Sequence, residues 1–203
     1  MAFSFSGHRQ RSLEANGDSE TAPREYELTA RDLAQYLFQT KGNIMKSITG
    51  DLILLALAGE FDVIVHGCNC MHIMGAGIAR EIRYTFPEAY EADLATRKGD
   101  LEKLGTFSSA QSHFPEGSQL TVVNAYTQFA PGGRMPAVDY AAVERVFQSI
   151  GAAFPTSRIG YPMIGAGLAG GDWNIISKII DSALEGMDHT LVTLTNGGKN
   201  GRF

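Results

Sequence analysis

Cysteine is nearly absent from this chain: there are two in 203 residues, Cys68 and Cys70, with one residue between them. Thiols that close on an extended segment do not reach ordinary disulfide geometry, so a disulfide framework is excluded, and both are expected as reduced thiols of a cytoplasmic protein. Positive charge is short as well, 17 Lys and Arg against 22 Asp and Glu, for a net charge of -5. Recognition of nucleic acid through its phosphates needs the opposite balance, so that partner class is argued against. No apolar run nears the roughly 20 residues that cross a bilayer. The opening residues also lack the apolar stretch of a secretory signal.

What is present is an ordinary globular composition, 44% hydrophobic and 19% charged, over a length that supports one sizeable core. Residues 1–24 are polar, with few large apolar groups beyond Phe3, Phe5 and Leu13, and cannot offset the entropy of ordering. Within the extension 1–42, Leu33, Tyr36 and Leu37 share one helical face behind a possible cap at Thr29, which predicts a helix over 29–39. The folded part is expected over 43–195, followed by a polar, glycine-rich tail at 196–203. Within it, strands are predicted at 44–49, 62–65, 104–110, 120–128 and 190–195, with a strand-like run from 159. Helices are predicted at 52–57, from 78 to about 86, at 88–97, 138–154 and 173–184. The third of these, 88–97, carries enough charge to read as a solvated outer helix. This alternation indicates an α/β sheet covered on both faces.

Two glycine-containing loops stand out. The segment Val65–Arg80, VHGCNCMHIMGAGIAR, runs from strand through a polar turn to Gly75-Ala76-Gly77 and then a helix. In a parallel sheet this order sets the loop at the carboxyl edge, where ligands bind, and the free N–H groups of the next helix suit phosphate. The stretch Ile159–Trp173, IGYPMIGAGLAGGDW, repeats the design. Two such loops can grip a diphosphate from both sides.

Two further features carry candidate chemistry. Asp51, between a strand and a helix, suits either an N-cap or an acceptor for an amino group such as that of adenine. His66, Cys68, Cys70 and His72 recur at every second residue and offer zinc-type donors. Four ligands on one straight strand would span roughly 20 Å, too far to surround one ion, so no metal and no cofactor is expected.

With both loops placed, the chain resembles the macrodomains, the ADP-ribose-binding family. The matching pieces are Gly50-Asp51-Leu52, His66-Gly67-Cys68-Asn69-Cys70, Met74-Gly75-Ala76-Gly77-Ile78-Ala79 and Ile164–Trp173, in family order across 43–195. The resemblance implies a three-layer α/β/α sandwich around a mixed sheet. It also implies that Asp51, beside Leu52, binds the adenine amino group and that Asn69 binds the distal ribose. Gly75, Ala76, Gly77 and Ile78 would face that ribose and its phosphate, and Gly165, Ala166, Gly167 and Leu168 would hold the diphosphate. Tyr126 would pack near the distal ribose.

Two hydrolase branches of the family use a carboxylate where this chain has Ala79 and Ala169, so neither activity is expected. The His-x-Cys-Asn-Cys pattern is more similar to the ADP-ribose-1″-phosphate phosphatase branch. That resemblance implies His66 as the catalytic group, with Asn69 orienting the ribose and His72 and Asp172 as further candidates. The expected partner is a small-molecule ADP-ribose derivative or an ADP-ribosylated protein, met by a monomer. Two alternatives stand beside the phosphatase. One is a non-catalytic ADP-ribose reader, and the other is a hydrolase of ADP-ribosyl esters or O-acetyl-ADP-ribose.

Overall fold

The computed structural model describes residues 45–114, 117–132 and 135–194. The N-terminal extension with its expected helix at 29–39, and the tail at 196–203, lie outside the described residues.

In chain order the elements are β1 (Lys46–Thr49), α1 (Leu52–Leu57), β2 (Val63–Asn69), α2 (Gly77–Thr85), α3 (Pro87–Leu94), a 3-10 turn (Leu101–Lys103), β3 (Phe107–His113), β4 (Gln119–Gln128), α4 (Tyr140–Ala153), β5 (Ile159–Tyr161), α5 (Trp173–Ala183) and β6 (His189–Thr193). The strands form one six-stranded sheet in the order β1-β6-β5-β2-β4-β3. All neighbours are parallel except β3, which runs antiparallel to β4 at the edge. The sheet is therefore mixed, and its layers match the expected α/β/α sandwich.

β2 and β4 sit centrally and are apolar on both faces, as the runs Val63-Ile64-Val65 and Val122-Val123 require. Alternate residues divide between two cores. Val63, Val65, Val123 and Ala125 join α4 and α5 through Val143, Val146, Phe147, Ile150, Ile176 and Ile180. Ile64, Leu120 and Val122 join α1, α2 and α3 through Leu52, Ala56, Ile82, Phe86 and Ala89. Three of the helices begin on aspartates whose side chains accept N-terminal N–H bonds: Asp51, Asp139 and Asp172. The strand expected from Leu104 begins only at Phe107, because Gly105, at φ 89, still belongs to the turn after the 3-10 segment.

From β2 the chain passes to β3 and β4 on one side, then crosses to β5 and β6 on the other. The carboxyl ends of β2, β4 and β5 therefore border the crevice where connections diverge, the favoured ligand position in such sheets. No helix among the described residues is long and apolar enough to cross a membrane.

Candidate functional site

At that edge lies a cleft of about 350 Å³, and both glycine loops line it. The first contributes Gly75, Ala76, Gly77, Ile78 and Ala79; the second contributes Gly165, Gly167, Leu168 and Ala169. A Cβ built on Gly77 would stand 3.8 Å from Leu168 Cδ1, so the loops face each other closely. β2 supplies Gly67 and Asn69, and β4 supplies Thr127 and Gln128.

Each loop presents unsatisfied N–H groups for a local reason. At the start of α2, Ala76 is the N-cap with no side-chain cap bond, and the first intrahelical bond runs from Arg80 N–H to Ala76 O at 3.4 Å. The N–H groups of Gly77, Ile78 and Ala79 are thus left without backbone partners among the described residues. In the second loop, Gly170 N–H bonds Gly167 O at 2.9 Å and Gly171 N–H bonds Gly165 O at 2.8 Å. These bonds curl the chain and leave the N–H groups of Gly167 and Leu168 without protein partners among the described residues. Gly165 takes φ 74, and a Cβ there would fall 2.7 Å from Val138 Cγ2, so glycine is required twice over.

Gly75 and Gly167 differ. Neither has positive φ, and a Cβ on either would meet nothing within 4 Å. The fold itself does not demand glycine at these two positions.

Asn69, 5% exposed, is the hub of the turn that leads into the first loop. Its Oδ1 accepts the N–H groups of Met71 (3.0 Å) and Ile73 (3.2 Å), and its Nδ2 donates to Ile73 O at 2.7 Å. One Nδ2 hydrogen is left for a ligand. No lining side chain of the cleft among the described residues is ionisable; the polar ones are Asn69, Thr127 and Gln128. A broader depression of about 530 Å³ lies between the 3-10 turn and α4, but its arginine, Arg145, already donates to Leu104 O. The glycine cleft is the better candidate because residues of two loops whose N–H groups lack partners among the described residues line it together.

No family model matches the chain. An uncharacterized 17.5 kDa protein from the tk-vs intergenic region of Enterobacteria phage T4 is 39% identical over 145 residues, 68% of this chain and 89% of the phage protein. The macrodomain of Mycobacterium tuberculosis DarG superposes with a TM-score of 0.61 at 20% identity, over 76% of this chain and 100% of that one. Thermosipho africanus DarTG in complex with ADP-ribose gives a TM-score of 0.57 at 17% identity, over 76% of this chain and 43% of that chain. The chain belongs to the family of the phage protein, and its fold is the macrodomain fold.

The macrodomain cleft does not include every residue expected in it. His66 is fully buried on the opposite face of β2. Residues alternate along a strand, and Gly67, whose Cβ would meet Ile164 and Thr127 at 3.2 Å, faces the cleft side. His66 and Cys68 therefore point the other way. His66 Nε2 lies 2.7 Å from Asn124 Oδ1, while Asn124 Nδ2 donates to Ala89 O at 2.7 Å, so the imidazole must donate from Nε2. Cys68 Sγ sits 3.7 Å from His66 Nδ1. Cys68, His66 and Asn124 thus have the residue types of a nucleophilic triad, but burial lowers the imidazole pKa to about 4 and pushes the thiol well up. The group is buried in the core, and His66, expected as the catalytic residue, lies outside the cleft.

Tyr126 shares that parity on β4. It is 1% exposed and donates to Asp93 Oδ1 at 2.8 Å, away from the macrodomain cleft. The cleft residues of β4 are instead Thr127 and Gln128, which sequence reasoning missed even though the strand visibly turns polar there. His72 points to Thr96 and Asp93 rather than into the cleft. Asp172 caps α5, accepting from Asn174 N–H at 2.8 Å, and does not line the cleft. Leu52 is core, and Ala166 packs against the α4–α5 side, so neither side chain lines the cleft. Asp51 Oδ1 accepts from Ile53 and Leu54 N–H at 2.9 and 3.1 Å, the capping role. Ala79 and Ala169, where two hydrolase branches need a carboxylate, do face the cleft.

Proposed function

We propose that this chain binds ADP-ribose, alone or attached to a protein, in the cleft between its two glycine loops, with the pyrophosphate held by backbone N–H groups. The observation that carries this reading is the pair Gly75 and Gly167. Glycine there is required neither by backbone conformation nor by a neighbour, whereas a ligand whose phosphates lie against the main chain does require it. The start of α2 adds the favourable end of its dipole. ADP-ribose is present in one of the structures sharing this fold.

Removal of the terminal phosphate from ADP-ribose-1″-phosphate is the finer activity the resemblance implies, and it is the second reading. Asn69, with its spare amide hydrogen at the cleft, favours it. His66 does not. Turnover would rest on a water held by Asn69 and main-chain groups, because no ionisable side chain lines the cleft among the described residues.

Calorimetry with ADP-ribose and a phosphate-release assay with ADP-ribose-1″-phosphate test both readings. Micromolar ADP-ribose binding with no phosphate release supports the reader. Phosphate release that persists in His66→Gln supports the second reading, and failure of ADP-ribose to bind at millimolar concentration sinks both.

A further inference from the structure

We propose that His72 is a positioning residue, a strut that holds the first glycine loop in its ligand-ready place by leaning on half-buried Thr96 and, beneath it, buried Asp93. Among the described residues it is the one non-glycine with positive φ, at 60°. A side chain in that left-handed conformation is strained, and glycine would take it freely. The imidazole is kept in a place where the backbone alone would favour its loss, so its contacts must offset the strain.

Those contacts form a directed chain. Thr96 Oγ1 donates its hydrogen to Asp93 O at 2.6 Å, so its lone pair accepts from His72 Nε2, 3.0 Å away. A neutral imidazole is sufficient. The carboxylate beneath is buried and cross-tied. Asp93 is 1% exposed, and its Oδ1 accepts from Tyr126 Oη at 2.8 Å and from Lys103 Nζ at 3.3 Å. The Lys103 ammonium also stands 4.3 Å from the centre of the Tyr126 ring. A main-chain bond from Gly99 N–H to Cys70 O, 2.8 Å, ties the same segment to the residue just past β2.

The strut acts on the cleft through one peptide unit. Ile73, next in sequence, lines the cleft, and Gly75 to Ile78 follow. From the other side Asn69 holds Ile73 by both its N–H and its carbonyl. The turn is therefore clamped between the amide of Asn69 and the imidazole of His72. Donors on separate residues bind a pyrophosphate well only when their spacing is set beforehand, since each ordered in the act of binding subtracts from affinity.

The inference rests on the ADP-ribose reading, and its test separates the two. His72→Gly keeps the backbone conformation and removes the strut; Thr96→Val removes the acceptor and leaves His72 in place. Each is expected to weaken ADP-ribose binding by about tenfold, and the double variant to lose no more than either alone, because both break one interaction. Thr96→Ser, which restores the hydroxyl, is expected to recover wild-type affinity. A structural role alone predicts lower melting temperatures with unchanged affinity in the folded protein. Wild-type affinity in both His72→Gly and Thr96→Val overturns the strut.

Should the wild-type protein bind no ADP-ribose, hydrogen exchange of the Ile73 amide, which Asn69 Oδ1 holds in the clamped turn, still decides in the free protein. Faster exchange in Thr96→Val than in Thr96→Ser upholds the strut, and equal exchange rejects it.

Discussion

A single histidine shows how far environment outweighs residue type. His66 carries the imidazole that phosphate chemistry calls for, yet with no exposed surface and its Nε2 donated to Asn124 it is a neutral core group. Its pKa is lowered to about 4, chiefly by desolvation, with the Asn124 hydrogen bond, Asp93 and Gly67 opposing. The sign follows directly: between the ordinary histidine pKa and the lowered one, the unfolded chain binds a proton that the folded one refuses. Stability is thus complete above about pH 6.5 and falls as pH drops toward 4, by about 2 kcal/mol between pH 7 and pH 5 from this group alone. His72, also lowered mainly by burial, acts in the same direction. Urea titrations across this range are expected to show the loss, with a shallower slope in His66→Gln. A pH-independent midpoint would contradict the buried neutral histidine.

At the scale of elements, the second glycine loop separates two uses of one residue. A Cβ on Gly171 would lie 2.6 Å from Val138 Cγ1 and 2.8 Å from Gly165 O, so Gly171→Ala forces backbone to move and is expected to cost about 1–3 kcal/mol. A Cβ on Gly167 meets nothing. Gly167→Ala is therefore expected to keep stability within about 0.5 kcal/mol of wild type while lowering ADP-ribose affinity about tenfold. Thermal melts paired with calorimetry on both variants check this. Equal affinity in Gly167→Ala would mean that the loop does not touch the ligand. The helices carry a related lesson: α3 read as a solvated outer helix, but Ala89 and Asp93, four residues apart on one face, are buried. Apolar periodicity could not reveal it, because the buried partner on that face is a carboxylate whose contacts, Tyr126 and Lys103, come from elsewhere in the chain.

For the whole molecule, charge sets the expectation. The chain carries a net charge of -5, and no lysine or arginine lines the cleft among the described residues. An anionic ligand held by N–H dipoles gains from short-range geometry rather than from long-range attraction. Raising ionic strength from about 50 to 300 mM is therefore expected to change the ADP-ribose dissociation constant by less than about threefold, since screening relieves repulsion from the net charge as much as it weakens attraction. Isothermal titrations at several salt concentrations measure it. A steep weakening with salt would show that cationic side chains hold the phosphates.

Most elements were legible in the sequence because their causes are local. β-branched runs make β2 and β4, a three-to-four spacing of Val143, Val146, Phe147 and Ile150 makes α4, and aspartates start three of the five helices. The two glycine loops were legible for the same reason. The strand was legible only as far as Val65; its continuation to Asn69 sets His66 and Asn69 on opposite faces. Which of those faces holds the cleft was decided only by the tertiary structure, when Ile164 and Gly165 return from about a hundred residues downstream to close over Gly67. Side-chain direction is a property of the strand, but the floor of a site belongs to whatever long-range contact covers it.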